Sequence, residues 1–487
     1  MVQINFDQPI HVHFIGIGGI SMSGLAAVLL SRGFTVTGSD SRKSEQTSWL
    51  ESLGAHISIP QSAANITDGI DLVVYTAAIH PDNPEYAAAE AAGIPMMPRA
   101  ELLGQLMTQY PTSVAVAGTH GKTTTTSMIA HIMMAQKMDP TISVGGILPS
   151  IGGNIRVGHS GSFLTEACEY TNSFLHLTPQ IGVILNIDAD HLDFFKDLDD
   201  IRHSFRLFAE KIPAGGTLIL SAKIPELNTF TEGLACQVVT FGEGCGDYHA
   251  ENITWDDFGC ASFDLYVRSG LPYSTAAAAD PESTCGSDLL PPSPGEGTFL
   301  LGRFTLHVPG EHNVTNAAAA LACADLLGAS VSSMEAGLSG FTGTDRRFQK
   351  KGEIGGVTII DDYAHHPTEI RATLHAAQKY PTKRIWCVFQ PHTYSRTKAL
   401  FDEFVDALSL VDHVVLADIY AARETDTLGV SSALLCQKLK EKGREAWYFP
   451  TFDEIETFLL ENCTAGDLLI TMGAGDVYRI GERLLGQ

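Results

Sequence analysis

The chain has 487 residues, room for roughly three domains, and its 44% hydrophobic against 18% charged content makes it globular rather than disordered. A formal charge of −25 argues against a nucleic-acid scaffold, whose footprint is a basic face, but leaves room for a local cluster that takes small anions. No apolar run approaches the roughly 18–20 residues of a membrane span, so no membrane partner is expected.

Residues 1–110 read as a first α/β unit. IHVHFIGIGGISMSGLAAVLLSRGFTVTGSD (10–40) is strand, Gly turn, helix, strand. Gly16, Gly18 and Gly19 let backbone approach a pyrophosphate at the start of the helix. Asp40 ends the second strand, where an acid binds a ribose in dinucleotide folds. The third Gly of G-x-G-x-x-G falls on Ser21, and Gly24 follows three residues later. Three readings stay open here: a nicotinamide-type cofactor, another nucleotide, or a plain tight turn. DLVVYTAA (71–78) continues the unit as a strand, and PEYAAAEAAG (84–93) as a helix with Pro near its start and Gly at its C-cap.

Residues 111–342 form the second unit. TSVAVAGTHGKTTTT (112–126) runs from an apolar strand through a Gly-bounded loop into a helical pattern, the layout of a phosphate-binding loop. Gly118, Thr119, His120 and Gly121 supply backbone N–H groups, and the helix start adds partial positive charge. Lys122 reaches for terminal phosphates and Thr123 for Mg²⁺, with Thr124 next to it. The strict pattern has Gly at position 116, where this chain has Val116. SFLTEACEY (162–170) and IGVILNIDADHLDFF (181–195) read as strands with polar carboxyl ends, where function collects in such sheets. They offer Glu166 or Glu169 as metal partner, then Asp190, His191 and Asp193. Residues 251–308 alternate like antiparallel strands and carry a Pro/Ser/Gly-rich insertion, 273–297, expected to be solvated. GEHNVTNAAAALACADLLG (310–328) is a helix with a polar start.

Residues 343–487 form a third, doubly wound α/β unit. DDYAHHP (361–367) and QPHTYSRT (390–397) place dense polar clusters at the ends of two apolar strands, and Arg396 and the pair Arg346-Arg347 can fork onto carboxylate or phosphate. Nine cysteines are scattered with no C-x-x-C pair, and no charged-then-apolar leader opens the chain. Together these predict reduced thiols and a cytoplasmic location.

The motifs GIGGxxMSG, AGTHGKTTT, DADHLD, GEHNVTNAAAA, DDYAHHPTEI and FQPHTYSRT, in this order along nearly the whole chain, resemble the Mur ligase family. The resemblance implies ATP-dependent ligation of L-alanine to the lactyl carboxylate of UDP-N-acetylmuramate through an acyl phosphate, in peptidoglycan precursor synthesis. It implies three α/β domains: a Rossmann-like UDP-sugar-binding domain (1–110), a central P-loop ATPase-like domain (111–342) and a Rossmann-like amino-acid-binding domain (343–487). It assigns catalytic roles to Lys122, Glu166, His191, Arg347 and His365. ATP contacts would come from residues 118–124, His312, Asn316, Arg347 and Asp362. One Mg²⁺ would sit on Thr123 and Glu166, a second on Glu166 and His191. Gly16, Gly18, Gly19, Ser21, Ser23 and Asp40 would bind the UDP-sugar, and His365, His392 and Arg396 the amino acid.

Later-step Mur ligases carry a carboxylated Lys about fifteen residues after the DH motif, whereas this chain has Arg206, which favours the alanine-adding reaction. The alternatives are a sister ligase attaching a recycled peptide to the same sugar, an NAD-dependent oxidoreductase built on residues 14–40, and a non-catalytic nucleotide-binding regulator. A monomer or homodimer is expected.

Overall fold

The computed structural model describes residues 2–487 except 77, 193, 272–296, 423 and 426. Asp193 and nearly all of the 273–297 insertion therefore lie outside the described residues. Three sheets follow one another along the chain. The first has five parallel strands in the order His56–Ser58, Thr35–Ser39, His11–Ile15, Leu72–Tyr75, Met96–Pro98. The chain reverses its winding direction at His11–Ile15, so the Gly16–Gly19 turn opens into the crevice where such sheets bind ligands.

The second sheet has ten strands. At its centre Thr112–Ala117 lies between Ile181–Ile184 and Ser162–Glu166, all parallel. Val114 to Ala117 are wholly buried, as a strand covered on both faces requires. One flank closes with Tyr248–Trp255, Cys260–Arg268 and Thr298–Pro309, the antiparallel strands that alternation over 251–308 predicts. Two predicted strands are shorter than their apolar runs suggest. Ser162–Glu166 gives way to a 3₁₀ turn at Tyr170–His176, and Ile181–Ile184 ends before the DADHLD segment. In both, the polar tail leaves the ladder and becomes loop at the strand's carboxyl end.

The third sheet has six strands in the order Gln349–Ile354, Val357–Asp362, Leu468–Met472, Ile385–Phe389, His413–Leu416, Glu445–Tyr448. Only the first is antiparallel to its neighbour. Among the described residues no helix is long and apolar enough to cross a membrane.

Contacts between the units are close. One apolar core runs without a break from Phe14, Val28 and Leu106 of the first unit to Phe163, Phe174 and Phe205 of the second. Gly104, on the helix Arg99–Met107, touches the 3₁₀ turn so tightly that a Cβ there would come 2.1 Å from the His176 carbonyl oxygen. Gly24 lies against Ile155, and Asn154 donates to the Ile20 carbonyl at 3.0 Å. Between the second and third units, Lys379 pairs with Glu311 at 2.8 Å and stands 4.2 Å over the Trp255 ring.

Candidate active site

The phosphate loop is built by geometry that only its glycines permit. Gly118 has φ 143° and Gly121 φ 84°, and a Cβ on Gly121 would lie 2.5 Å from Asn316 Oδ1. The loop is strapped to the segment after Ile181–Ile184. His120 N–H donates to Asn186 Oδ1 at 2.8 Å, and Asn186 Nδ2 returns a bond to the His120 carbonyl at 3.0 Å. Asp188 N–H donates to Thr119 Oγ1 at 2.9 Å. Lys122 opens the helix Lys122–Ala135 and folds its ammonium back over the loop. It donates to the carbonyls of Gly118 (2.6 Å) and Thr119 (3.1 Å) and pairs with Glu169 at 2.9 Å. Burial disfavours its charge, but Glu169, then Cys168 and Glu166, more than offset that and raise its pKa.

Glu166, half-buried, accepts from Gly145 N–H at 2.6 Å and meets the Thr123 hydroxyl. Burial raises its pKa against those bonds. His191 has φ 53°, and its Nε2 stands 3.7 Å from Glu169 and 3.8 Å from Asp190. Glu169 is thus the acid beside both Lys122 and His191, while Glu166 belongs with Thr123. Among the described residues no three His, Cys, Asp or Glu side chains converge as a ready-made metal cage. The Thr123 hydroxyl and the Glu166 carboxylate that meet here are oxygen donors, the ligand type that Mg²⁺ takes.

A cavity of about 300 Å³ opens beside the loop, between the second and third units. His120, Gly121 and Thr124 form one end, and His312, Asn316, Arg347 and Asp362 its walls. These are residues the sequence assigned to the nucleotide, brought together from four separate segments. Asn313, which it did not assign, locks Asn316 in place: it accepts from Asn316 Nδ2 at 3.1 Å and donates to the Pro309 carbonyl at 2.7 Å. Asp362 accepts N–H bonds from Phe348 (2.8 Å) and Ala364 (2.7 Å), and burial pushes its pKa up to about 6. The Arg pair divides its work. Arg346 is spent inside the third unit, on Asp361 (2.9 Å) and the carbonyls of Gly473 (2.6 Å) and Gly475 (3.0 Å), leaving Arg347 for the cavity.

Glu369 is the residue that sequence reading passed over. It lies one helical turn after His365, on the helix Pro367–Gln378, and gathers three groups from two units: His120 at 3.4 Å, His365 at 3.4 Å and Arg347 at 3.8 Å. Burial opposes its charge, yet His365, His120 and Arg347 hold its pKa well below the usual value. His120 in turn bridges Glu369 and Asp188 (3.4 Å), which overcome its burial and raise its pKa to about 9. A second cavity of about 410 Å³ is lined by His191, Leu192, His392, Arg396 and Glu424. Arg396 donates from Nε and Nη2 to the buried Asp190 Oδ1 at 3.3 and 3.1 Å, a pair across the two units. Arg396 holds Asp190 far below the ordinary carboxylate range despite its burial. Arg206 stands apart, on Glu210 (2.9 Å) and the Phe230 carbonyl (2.6 Å).

In the first unit, Gly18 N–H donates to Asp40 Oδ2 at 2.9 Å, and Gly16 and Ile17 N–H groups bond the Ser39 carbonyl, each at 2.9 Å. Gly16, Gly18, Gly19 and Asp40 thus form one turn at the head of the helix Ile20–Ser31. Ser21 is half-buried on its first turn. Ser23 departs from expectation: it is buried, and its hydroxyl donates to the Ile20 carbonyl at 3.0 Å, turned into the helix rather than toward a ligand. Gly24, the late glycine of the fingerprint, serves packing on Ile155.

Three family models match consecutive segments. The Mur ligase family catalytic domain matches residues 11–111, the Mur ligase middle domain 116–324, and the Mur ligase glutamate ligase domain 346–475. The chain belongs to the Mur ligase family, a class of three-domain α/β enzymes that form amide bonds at the expense of ATP. It is 57% identical over 487 residues to the UDP-N-acetylmuramate–L-alanine ligase of Lachnospira eligens, covering 100% of both chains. It is 57% identical over 486 residues to the protein of the same name from Agathobacter rectalis. Among solved structures, the UDP-N-acetylmuramate–alanine ligase of Thermotoga maritima matches with TM-score 0.77 and 29% identity over 98% of each chain. A murein peptide ligase from Psychrobacter arcticus matches with TM-score 0.68 and 25% identity, also over 98% of each chain.

Proposed function

We infer that this chain ligates L-alanine to the lactyl carboxylate of UDP-N-acetylmuramate, using ATP and passing through an acyl phosphate, in the cytoplasmic synthesis of peptidoglycan precursors. End-to-end identity of 57% with ligases of that name carries the reading. The geometry supports it, because the phosphate loop lines a cavity walled by Arg347, Asp362 and Glu369 of the third domain, while His392 and Arg396 of that domain line a second cavity with His191.

An ionised carboxylate is a poor electrophile, so it must first receive a phosphoryl group, and the converging oxyanions must be neutralised. The 118–121 backbone and Lys122 receive the β- and γ-phosphates. Lys122 then exchanges its bonds to the Gly118 and Thr119 carbonyls for phosphate oxygens, with Glu169 keeping it charged. Asn316 and His312 hold the base end, and Asp362 and Arg347 close the third domain over the nucleotide. Thr123 with Glu166 would hold one Mg²⁺ ion, and a second on His191 would have Glu169 rather than Glu166 as the acid beside it; their chemistry is to neutralise phosphate and carboxylate charge. The Gly16–Gly19 turn with Ser21 and Asp40 would receive the UDP-sugar. His365, His392 and Arg396 would receive the amino acid.

Phosphate release from ATP by the purified chain tests this. It should require both UDP-N-acetylmuramate and L-alanine. Absence of release with L-alanine, glycine or L-serine would overturn the reading, and preference for a tripeptide in competition with L-alanine would move it to the recycling ligases.

A further inference from the structure

Forming the amide requires a step that the assignments above leave without an agent. An amino acid arrives at neutral pH as an ammonium ion, which has no lone pair. A group in the cleft must take its proton before attack. Six imidazoles line or border the two cavities: His120 and His312 the first, His191 and His392 the second, with His366 against His120 (4.9 Å) and His365 against His392. With His191 given to a metal and His312 to the base end of the nucleotide, four remain, and their partners fix the protonation of each ring.

His120 has carboxylates at both nitrogens, Glu369 at Nδ1 and Asp188 at Nε2, and is an imidazolium. His366 accepts the Thr368 N–H at Nδ1 (3.3 Å), so its proton sits on Nε2, which donates to the Ala189 carbonyl at 3.2 Å. Neither has an acceptor to offer. His392 and His365 line up with rings 5.7 Å apart. Arg396 Nη1, which can only donate, bonds His392 Nδ1 at 3.2 Å. The neutral His392 therefore carries its proton on Nε2 and presents a donor to the cleft. His365 is the reverse. Its Nδ1 faces only acceptors, the Tyr363 carbonyl at 3.1 Å and Glu369 at 3.4 Å, so Nδ1 carries the proton. Its Nε2 is left with a lone pair, makes no hydrogen bond to a described residue, and is not among the buried unpaired atoms.

We propose, resting on the ligase reading above, that His365 Nε2 is the general base that deprotonates the incoming amine, while His392 positions the amino acid as a donor. The ammonium gives one proton to His365 Nε2, which passes it to solvent. The freed lone pair attacks the acyl-phosphate carbon, forming the C–N bond and an oxyanion. Collapse breaks the C–O bond to phosphorus, and phosphate leaves with that electron pair and the second amine proton. Glu369 supports the role by fixing the tautomer through Nδ1, as a carboxylate does in acid–base pairs. Burial, opposed by Glu369 and Asp190 and reinforced by Arg396 and His392, brings the ring's pKa down to about 3, keeping it neutral and its lone pair available. Anionic phosphates bound nearby would shift it upward.

Hydroxylamine, an amine unprotonated at neutral pH, separates activation from amine deprotonation, because it traps the acyl phosphate as a hydroxamate without needing a base. His365→Asn and His365→Gln should lower L-alanine-dependent turnover by about 10²–10⁴-fold. Both should form hydroxamate from ATP and UDP-N-acetylmuramate within a few-fold of wild type. Their residual turnover should climb with pH as free alanine amine accumulates. His392→Gln should raise the KM for L-alanine with a smaller effect on kcat. Loss of hydroxamate in parallel with alanine turnover, or undiminished turnover in both His365 variants, would overturn the proposal. Failure of the wild type itself to form hydroxamate would instead remove the ligase reading on which it rests.

Discussion

At the scale of single residues, the site depends on charges held in pairs whose partners the substrates are to replace. Lys122 pairs with Glu169 at 2.9 Å and Arg396 with Asp190 at 3.1 Å. Lys122→Ala removes a donor aimed where charge develops, so kcat should fall by about 10²–10³-fold, read by phosphate release at saturating substrates. Arg396→Lys keeps the charge but loses the planar fork, and should raise the KM for L-alanine at least about tenfold in initial-rate assays. His120 gives a pH signature. Its pKa is raised from 6.5 to about 9 by partners in two domains, so its stabilisation is fully present below pH 6.5 and is lost as pH rises through about 9. The difference in melting temperature between wild type and His120→Gln should therefore shrink from pH 6.5 to 9. A difference constant over that range would contradict the pairing. Lys122 and Thr123 are legible in the sequence because each sits in a local pattern with one physical use, whereas Asn316 is implied only by the family resemblance. Glu369 and Asp188 are not legible, since their partner His120 lies 249 residues away from the first and in another segment from the second. Residue type alone does not tell Arg346 from Arg347, which only the family resemblance separates; the fold spends the first on Asp361 and turns the second to the cavity beside Glu369.

At the scale of elements, the packing is set by glycines that let segments touch. The helix Arg99–Met107 meets the Tyr170–His176 turn at Gly104, against rigid backbone. Gly104→Ala should destabilise the chain by about 1–3 kcal/mol, measured by denaturant unfolding, because the clash is with a carbonyl that cannot rotate away. Gly24→Ala meets the tip of the Ile155 side chain and should cost less. The order of strands and helices is legible from alternation and helical period, and all three sheets were expected from it. Strand ends were not. The sequence predicts strands over 162–170 and 181–195, but those over Ser162–Glu166 and Ile181–Ile184 stop earlier. Their acidic tails are needed as loop around the phosphate site, and an apolar run cannot show where the ladder ends.

At the scale of the whole molecule, a chain with formal charge −25 sets Arg347 and the charged His120 on one cavity of the interdomain cleft and Arg396 on another, each beside an acid of the site, Glu369 or Asp190, that a bound anion would compete with. The cleft exists only where the second and third domains meet, and catalysis should depend on that contact. In the proposed reaction the sugar's carboxylate is activated by phosphoryl transfer before the amine attacks. Turnover with UDP-N-acetylmuramate labelled with ¹⁸O in its lactyl carboxylate tests it most directly. One label oxygen should appear in the released phosphate, together with the L-alanine amide. Release of unlabelled phosphate alongside the amide would contradict the acyl-phosphate route.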